Sequence, residues 1–154
     1  MNHSFNVDEA IRLKILFVGI GNLLRRDDGV GVHICGKSQT NDIVNKLNTE
    51  VSIENYIGKI NETAPDLLIL IDCVDFGRKP GYFSMLPAEK LQGSLYNTHN
   101  ISLKRLSDFF KMQLFILGIQ PESIAFGENI SYIVKNSADM ILKHINKKEV
   151  HHGC

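Results

Sequence analysis

Gly19-Ile20-Gly21-Asn22-Leu23-Leu24-Arg25-Arg26-Asp27-Asp28-Gly29-Val30-Gly31 follows directly on the apolar run Ile15-Leu16-Phe17-Val18. The run reads as a buried strand and the glycine-rich stretch as the turn that opens a helix. A Gly-x-Gly turn in this position usually holds a nucleotide phosphate on a helix N-terminus. Here Leu24 stands where the third glycine of that fingerprint would be. Asp27 and Asp28 also place two adjacent carboxylates at the helix entrance, where a phosphate is repelled. The turn suits a cation or acid chemistry. A dinucleotide-binding oxidoreductase would rest on Gly19-x-Gly21 alone.

Working outward, the pattern predicts a strand over residues 14–18, a helix over 29–38 and a weaker strand over 43–47. Leu67-Leu68-Ile69-Leu70-Ile71 is a continuous apolar run of the kind found in the middle of a parallel sheet. After the Lys79-Pro80-Gly81 turn, residues 82–86 read as an edge strand, because Pro80 and Pro87 bracket them. A helix follows with Asn100 or Ser102 as N-cap and Leu103, Leu106 and Phe110 on one face. Residues 114–117 form the next strand, stopped by residues 118–121. The last helix, 131–146, carries Val134, Ala138, Ile141 and Ile145 at helical spacing. Strands alternating with helices predict an α/β fold, a three-layer sandwich with a mainly parallel twisted sheet and one antiparallel edge strand.

The 154 residues hold no repeat, low-complexity block or linker, so one domain spanning 1–154 is expected, with flexible ends at 1–13 and 147–154. Apolar residues at 44% and charged residues at 22% are ordinary for a soluble globular protein. Seventeen basic residues balance seventeen acidic ones, so no net field recruits nucleic acid or an anionic membrane surface. Apolar stretches are strand-sized, too short for a membrane span, and no signal-peptide h-region opens the chain. Cys35, Cys73 and Cys154 are odd in number and widely spaced, which implies neither a disulfide framework nor a Cys-x-x-Cys site. The expected compartment is the cytoplasm.

In an open α/β sheet, ligands bind beyond the carboxyl ends of the strands. Asp27 and Asp28 lie in the loop after the first strand, and Asp72 and Asp75 fall just past the central one. His99, in the polar loop Asn97-Thr98-His99-Asn100, can reach the same edge. Two carboxylates and an imidazole form a mixed oxygen and nitrogen site suited to zinc, nickel or manganese, with positions left open for substrate. Each residue also has a plainer role: Asp27 or Asp28 as a helix cap, Asp72 as a turn former, His99 as a surface residue. Cys73 reads as a small buried hydrophobe rather than a nucleophile, and Ser102 as a cap. His151, His152 and Cys154 read as a solvated tail, and Arg25 and Arg26 as solvent-facing charges open to an acidic partner.

These motifs resemble a known family. Gly19-Ile20-Gly21-Asn22-Leu23-Leu24 with Asp27-Asp28-Gly29-Val30-Gly31 is similar to the opening signature of the hydrogenase maturation endopeptidases. Leu70-Ile71-Asp72-Cys73-Val74-Asp75-Phe76-Gly77 with Pro80-Gly81 resembles the family's second motif. Thr98-His99-Asn100, Leu117-Gly118-Ile119-Gln120-Pro121, Glu54-Asn55-Tyr56 and Gly58-Lys59 resemble the formate-hydrogenlyase-type branch. The likeness covers about residues 14–145.

The resemblance implies an endopeptidase that removes the C-terminal extension from the nickel-loaded large-subunit precursor of a nickel–iron hydrogenase. It carries the family's metal contacts, and with them the catalytic site, onto Asp28, Asp72 and His99. It implies an aspartic-type enzyme with no tightly bound cofactor of its own. The precursor's nickel is what the site recognises, and other divalent metals are able to occupy it. The expected partner is that precursor, with no nucleic acid and no membrane. The family commonly carries a glycine-rich turn with Thr or Ser after its second strand, whereas Asn48-Thr49-Glu50-Val51-Ser52-Ile53 has no glycine. Either the backbone differs there or the correspondence slips. The departure motivates an alternative reading, a nickel-checking binding protein that holds a hydrogenase subunit without cutting it.

Overall fold

The computed structural model describes residues 13–91, 94–95 and 103–147. The expected flexible ends fall almost wholly outside these residues. Five strands form one sheet: β1 (Ile15–Ile20), β2 (Val44–Glu50), β3 (Leu67–Asp75), β4 (Phe83–Pro87) and β6 (Gln113–Ile119). Their spatial order is β2-β1-β3-β6-β4, and a two-residue strand, β5 (Ser94–Leu95), pairs antiparallel with the end of β3. All pairings among β2, β1, β3 and β6 are parallel, whereas β4 runs antiparallel along β6 at the edge. The α/β fold class with one antiparallel edge strand is therefore as the sequence predicts. Pro87 ends β4 on the sheet's outer side, where a missing N–H breaks no central ladder.

The helices are α1 (Val30–Lys37), α2 (Ile57–Thr63), α3 (Leu103–Phe109) and α4 (Tyr132–Ile145). Alternate residues of β3 divide the core into two layers. Leu68, Leu70 and Val74 pack with Ile60 of α2 and with Leu106 and Phe110. Ile69, Ile71 and Cys73 pack with Val30 and Ile34 of α1 and Val134, Ala138 and Ile141 of α4. Burial on both faces explains why β3 reads as an unbroken apolar run. No helix among the described residues is long and apolar enough to cross a membrane.

Three boundaries differ from expectation. β2 runs on to Glu50, so the glycine-free stretch begins as strand, and Glu50 itself takes φ 50°. A non-glycine residue thus adopts the left-handed conformation, at a cost of about 1 kcal/mol. The sequence pattern assigns no element to residues 53–63, where a 3-10 turn at Ile53–Tyr56 runs into α2 and buries Ile53 and Ile60. β3 extends four residues beyond Ile71, placing Asp72 and Asp75 within the strand rather than past it. The added ladder is parallel pairing with β6, Asp72 against Gly118 and Cys73 against Ile119.

The order of connections makes β1 and β3 the topological switch point. From β1 the chain passes through α1 to β2 on one side, then through α2 to β3 on the other. Pairing between β1 and β3 ends at Gly19 against Ile71, so a crevice opens there. Helix α1 lies tight against this point. A Cβ added at Gly31 would strike the carbonyl oxygens of Ile71 and Ile20.

Gly31→Ala should lower stability by about 3 kcal/mol through this overpacking, read as a fall in the urea midpoint at unchanged slope. A second expectation concerns α1 and α4. Burial, then the neighbouring Lys37, with a smaller contribution from Lys135, holds the His33 pKa below its ordinary value, against the opposing pull of Asp139. The unfolded chain therefore takes up the proton first. The stability contributed by neutral His33 is complete above pH 6.5 and is lost as pH falls through the folded value. Denaturant titrations between about pH 7.5 and 5 should show His33→Gln less acid-sensitive than the parent chain. Parallel pH profiles would overturn this account.

Candidate active site

The loop after β1 places Asp27 and Asp28 in a 3-10 turn, Arg26–Gly29, that leads into α1. Both carboxylates are fully buried. They are used differently. Asp27 Oδ2 accepts hydrogen bonds from the N–H groups of Glu122 (2.9 Å) and Ser123 (3.0 Å) and from the Ser131 hydroxyl (2.8 Å). Its Oδ1 accepts from the Ser131 N–H at 2.7 Å. Four donors occupy about four lone-pair sites, so Asp27 has little capacity left for a ligand. Asp28 is held by the Asn22 N–H, which donates to its Oδ2 at 2.9 Å. Gly21, with φ 146°, lets this happen: a Cβ there would collide with the Asp28 carbonyl.

Asp72 is 1% exposed, and its Oδ1 accepts the N–H of Cys73 at 2.7 Å. It follows Ile71, the residue against which Gly31 packs, while Asp28 lies one helical turn before Gly31. The two acids therefore flank the crevice between β1 and β3. Their closeness also registers on Cys73. Burial first, then the charges of Asp72, Asp28 and Asp27, push its thiol far above the ordinary range. Asp75 has a supporting role: its Oδ1 accepts from the Gly77 N–H (2.9 Å) and from Gln120 Nε2 (3.2 Å).

Gln120, buried at the end of β6, is a residue that sequence reasoning did not single out. Its Oε1 accepts from the N–H groups of Phe76 (2.6 Å) and Arg78 (3.3 Å), fixing the chain after β3. The sequence signal for it is its place in Leu117-Gly118-Ile119-Gln120-Pro121, the stretch that resembles the family, where no role was assigned to it. Arg26 does not face solvent as expected: it is half-buried, and its Nε donates to the Asn129 carbonyl at 3.2 Å. His99, Ser102, His151, His152 and Cys154 lie outside the described residues. Among the described residues no three His, Cys, Asp or Glu side chains assemble as a metal-binding group.

The family model described as "Hydrogenase maturation protease" matches residues 38–148. The chain belongs to that family. Hydrogenase 3 maturation protease of Escherichia coli (strain K12) is 27% identical over 142 residues, 87% of this chain and 90% of its own length. The NiFe hydrogenase maturation protease HycI from Thermococcus kodakarensis KOD1 superposes with a TM-score of 0.75 at 28% identity, over 93% of this chain and all of its own. The hydrogenase maturating endopeptidase HybD from E. coli superposes with a TM-score of 0.69 at 25% identity, over 86% and 90% of the two chains.

As a member of the hydrogenase maturation protease family, this chain is a peptidase, and the dinucleotide reading of Gly19-x-Gly21 falls. Those glycines serve close packing instead, Gly19 against Asn48, Cys35 and Gly31 and Gly21 against the Asp28 backbone. Within a peptidase, Cys73 has no means of supplying a thiolate, since three acids and burial all oppose it. Cys35 is likewise buried, its thiol facing the Leu47 carbonyl at 3.4 Å. Alkylation of the folded protein at neutral pH, followed by peptide mapping, should leave Cys73 and Cys35 unmodified. Both should react once denaturant is added. Rapid native labelling of Cys73 would contradict the burial described here.

Proposed function

We propose that this chain removes the C-terminal extension from the large-subunit precursor of a nickel–iron hydrogenase, acting on the nickel-loaded form. In this reading Asp28, Asp72 and His99 contact the precursor's nickel and constitute the active site. The observation that supports it is that the buried acids Asp28 and Asp72 lie on segments either side of the switch point between β1 and β3. Two carboxylates with an imidazole make a donor set that fits nickel, zinc or manganese. As three ligands from separate segments they leave positions open for the substrate and do not close a permanent cage. No tightly held cofactor is therefore required. His99 is four residues beyond Leu95, which pairs with Val74 near the end of β3. A chain of that length spans at most about 14 Å, a reach compatible with a role for His99 at the same edge.

The nickel, delivered as part of the substrate, supplies Lewis acidity next to the scissile bond. The protein's part is to orient it. Asp72, on a strand, and Asp28, in a turn braced by Asn22, hold fixed directions, and their burial strengthens the attraction for a cation. The acting acids are aspartates, so the enzyme is of aspartic type in this reading. A rim of exposed apolar side chains suits a polypeptide substrate. Leu24 is 49% and Phe126 87% exposed, and a backbone bond from the Gly127 N–H to the Leu24 carbonyl brings their segments together. The balanced charge and scattered cysteines fit a cytoplasmic enzyme without affinity for nucleic acid or membrane. The non-proteolytic alternative drew on the missing glycine, but Glu50 adopts the left-handed conformation itself, which removes that motive.

The test is incubation with nickel-loaded and nickel-free precursor, read by intact mass. Shortening of the loaded form alone is expected, and equal processing of both would sink the nickel-reading role. Asp72→Asn should keep the fold and lower processing by at least about 100-fold, since it removes a ligand charge while preserving shape. Asp75→Asn retains an acceptor for Gly77 and should stay within about tenfold of the parent. Full activity in Asp72→Asn would overturn the site assignment.

A further inference from the structure

Asp27 stands next to Asp28 in sequence but is bonded to a different part of the molecule. Every hydrogen bond described for its carboxylate comes from one segment, residues 122–131, between β6 and α4. Backbone bonds continue the same junction. The Asp27 N–H donates to the Ser123 carbonyl (3.1 Å) and the Arg26 N–H to the Gly127 carbonyl (2.8 Å). Arg26 enters this junction with φ 45°, a conformation that isolated turns disfavour for arginine. Ser131 is the N-cap residue of α4, yet its hydroxyl makes no capping bond and is directed at Asp27 instead. The helix forgoes its usual side-chain cap, and the serine serves the acid.

We infer that Asp27 is a positioning residue: it locks the turn bearing Asp28 onto the 122–131 segment and so fixes the direction in which the Asp28 carboxylate meets a metal. The Asp28 side chain is steadied from one side by the Asn22 N–H, through Oδ2. From the other side its backbone depends on Asp27, because the Arg26–Gly29 turn has no side-chain cap of its own. Residues that orient a metal ligand without touching the metal typically alter affinity 10- to 100-fold when changed. This inference rests on the reading of Asp28 and Asp72 as metal contacts.

The experiment uses the full chain and Ni²⁺ alone, with affinity measured by titration calorimetry and folding by circular dichroism and thermal melts. Asp27→Asn keeps the side-chain size but replaces one accepting oxygen with an NH₂ group that faces N–H donors. It should weaken Ni²⁺ binding about 10- to 100-fold at a temperature where the variant is fully folded. Ser131→Ala removes one donor of the four and should weaken binding less, in the same direction. If Asp27→Asn does not fold, Ser131→Ala decides alone. In precursor cleavage both variants should lower kcat, and because Phe126 of the docking rim lies in the segment that Asp27 holds, a rise in KM is expected beside it, so Ni²⁺ affinity is the deciding readout. Parental Ni²⁺ affinity in these folded variants, with binding lost in Asp28→Asn, would show Asp27 to be scaffold only and overturn the inference. Parental affinity in Asp28→Asn would instead overturn the underlying site reading, and this inference with it.

Discussion

The contact between α1 and β3 at Ile71 sets the rest of the molecule. A helix can approach a sheet this closely only where its contacting residue has no side chain, and Gly31 is that residue. The approach brings the turn before α1 level with the residue after Ile71. Two carboxylates from segments more than 40 positions apart in the chain then share one crevice. Moving the helix outward by the width of a methyl group would separate them, and no nearby loop could compensate. Packing density, rather than any single hydrogen bond, is what juxtaposes the acids.

Around that contact the two neighbouring aspartates have separate tasks. Asp27 faces a wall of N–H and O–H donors, an environment that satisfies a buried carboxylate completely. Asp28 faces the crevice with a donor from Asn22 on one of its oxygens. A buried acid is tolerated only where something compensates its lost hydration. For Asp27 the compensation is built into the chain. Asp28 and Asp72, in the reading proposed above, are the acids that meet the metal of the substrate.

Much of this was legible in the sequence, and the failures have physical causes. β3 is plain because both its faces are buried, but hydrophobicity reports burial and not pairing. The run therefore looks finished at Ile71 although the ladder with β6 continues through Asp72 and Cys73. β2 is faint because it lies at the sheet edge with one face in solvent. α2 has seven residues with Ile60 as its one fully buried anchor, too few for a helical period to stand out. The doublet Asp27-Asp28 identifies an acidic turn, yet nothing local says which acid is the ligand. That distinction comes from donors 95 to 104 positions downstream. His99 is conspicuous as a residue, but its placement falls outside the described residues.

The extension of β3 past the end of β1 has a dynamic consequence. Asp72 is rooted in backbone that is laddered to β6, with β5 closing the strand's last two residues. Amides in such a position exchange with solvent only through large-scale opening, so the floor of the crevice is as rigid as the core itself. The strand that carries Asp72 is thus already ordered when a ligand arrives, and that backbone contributes no ordering cost to binding.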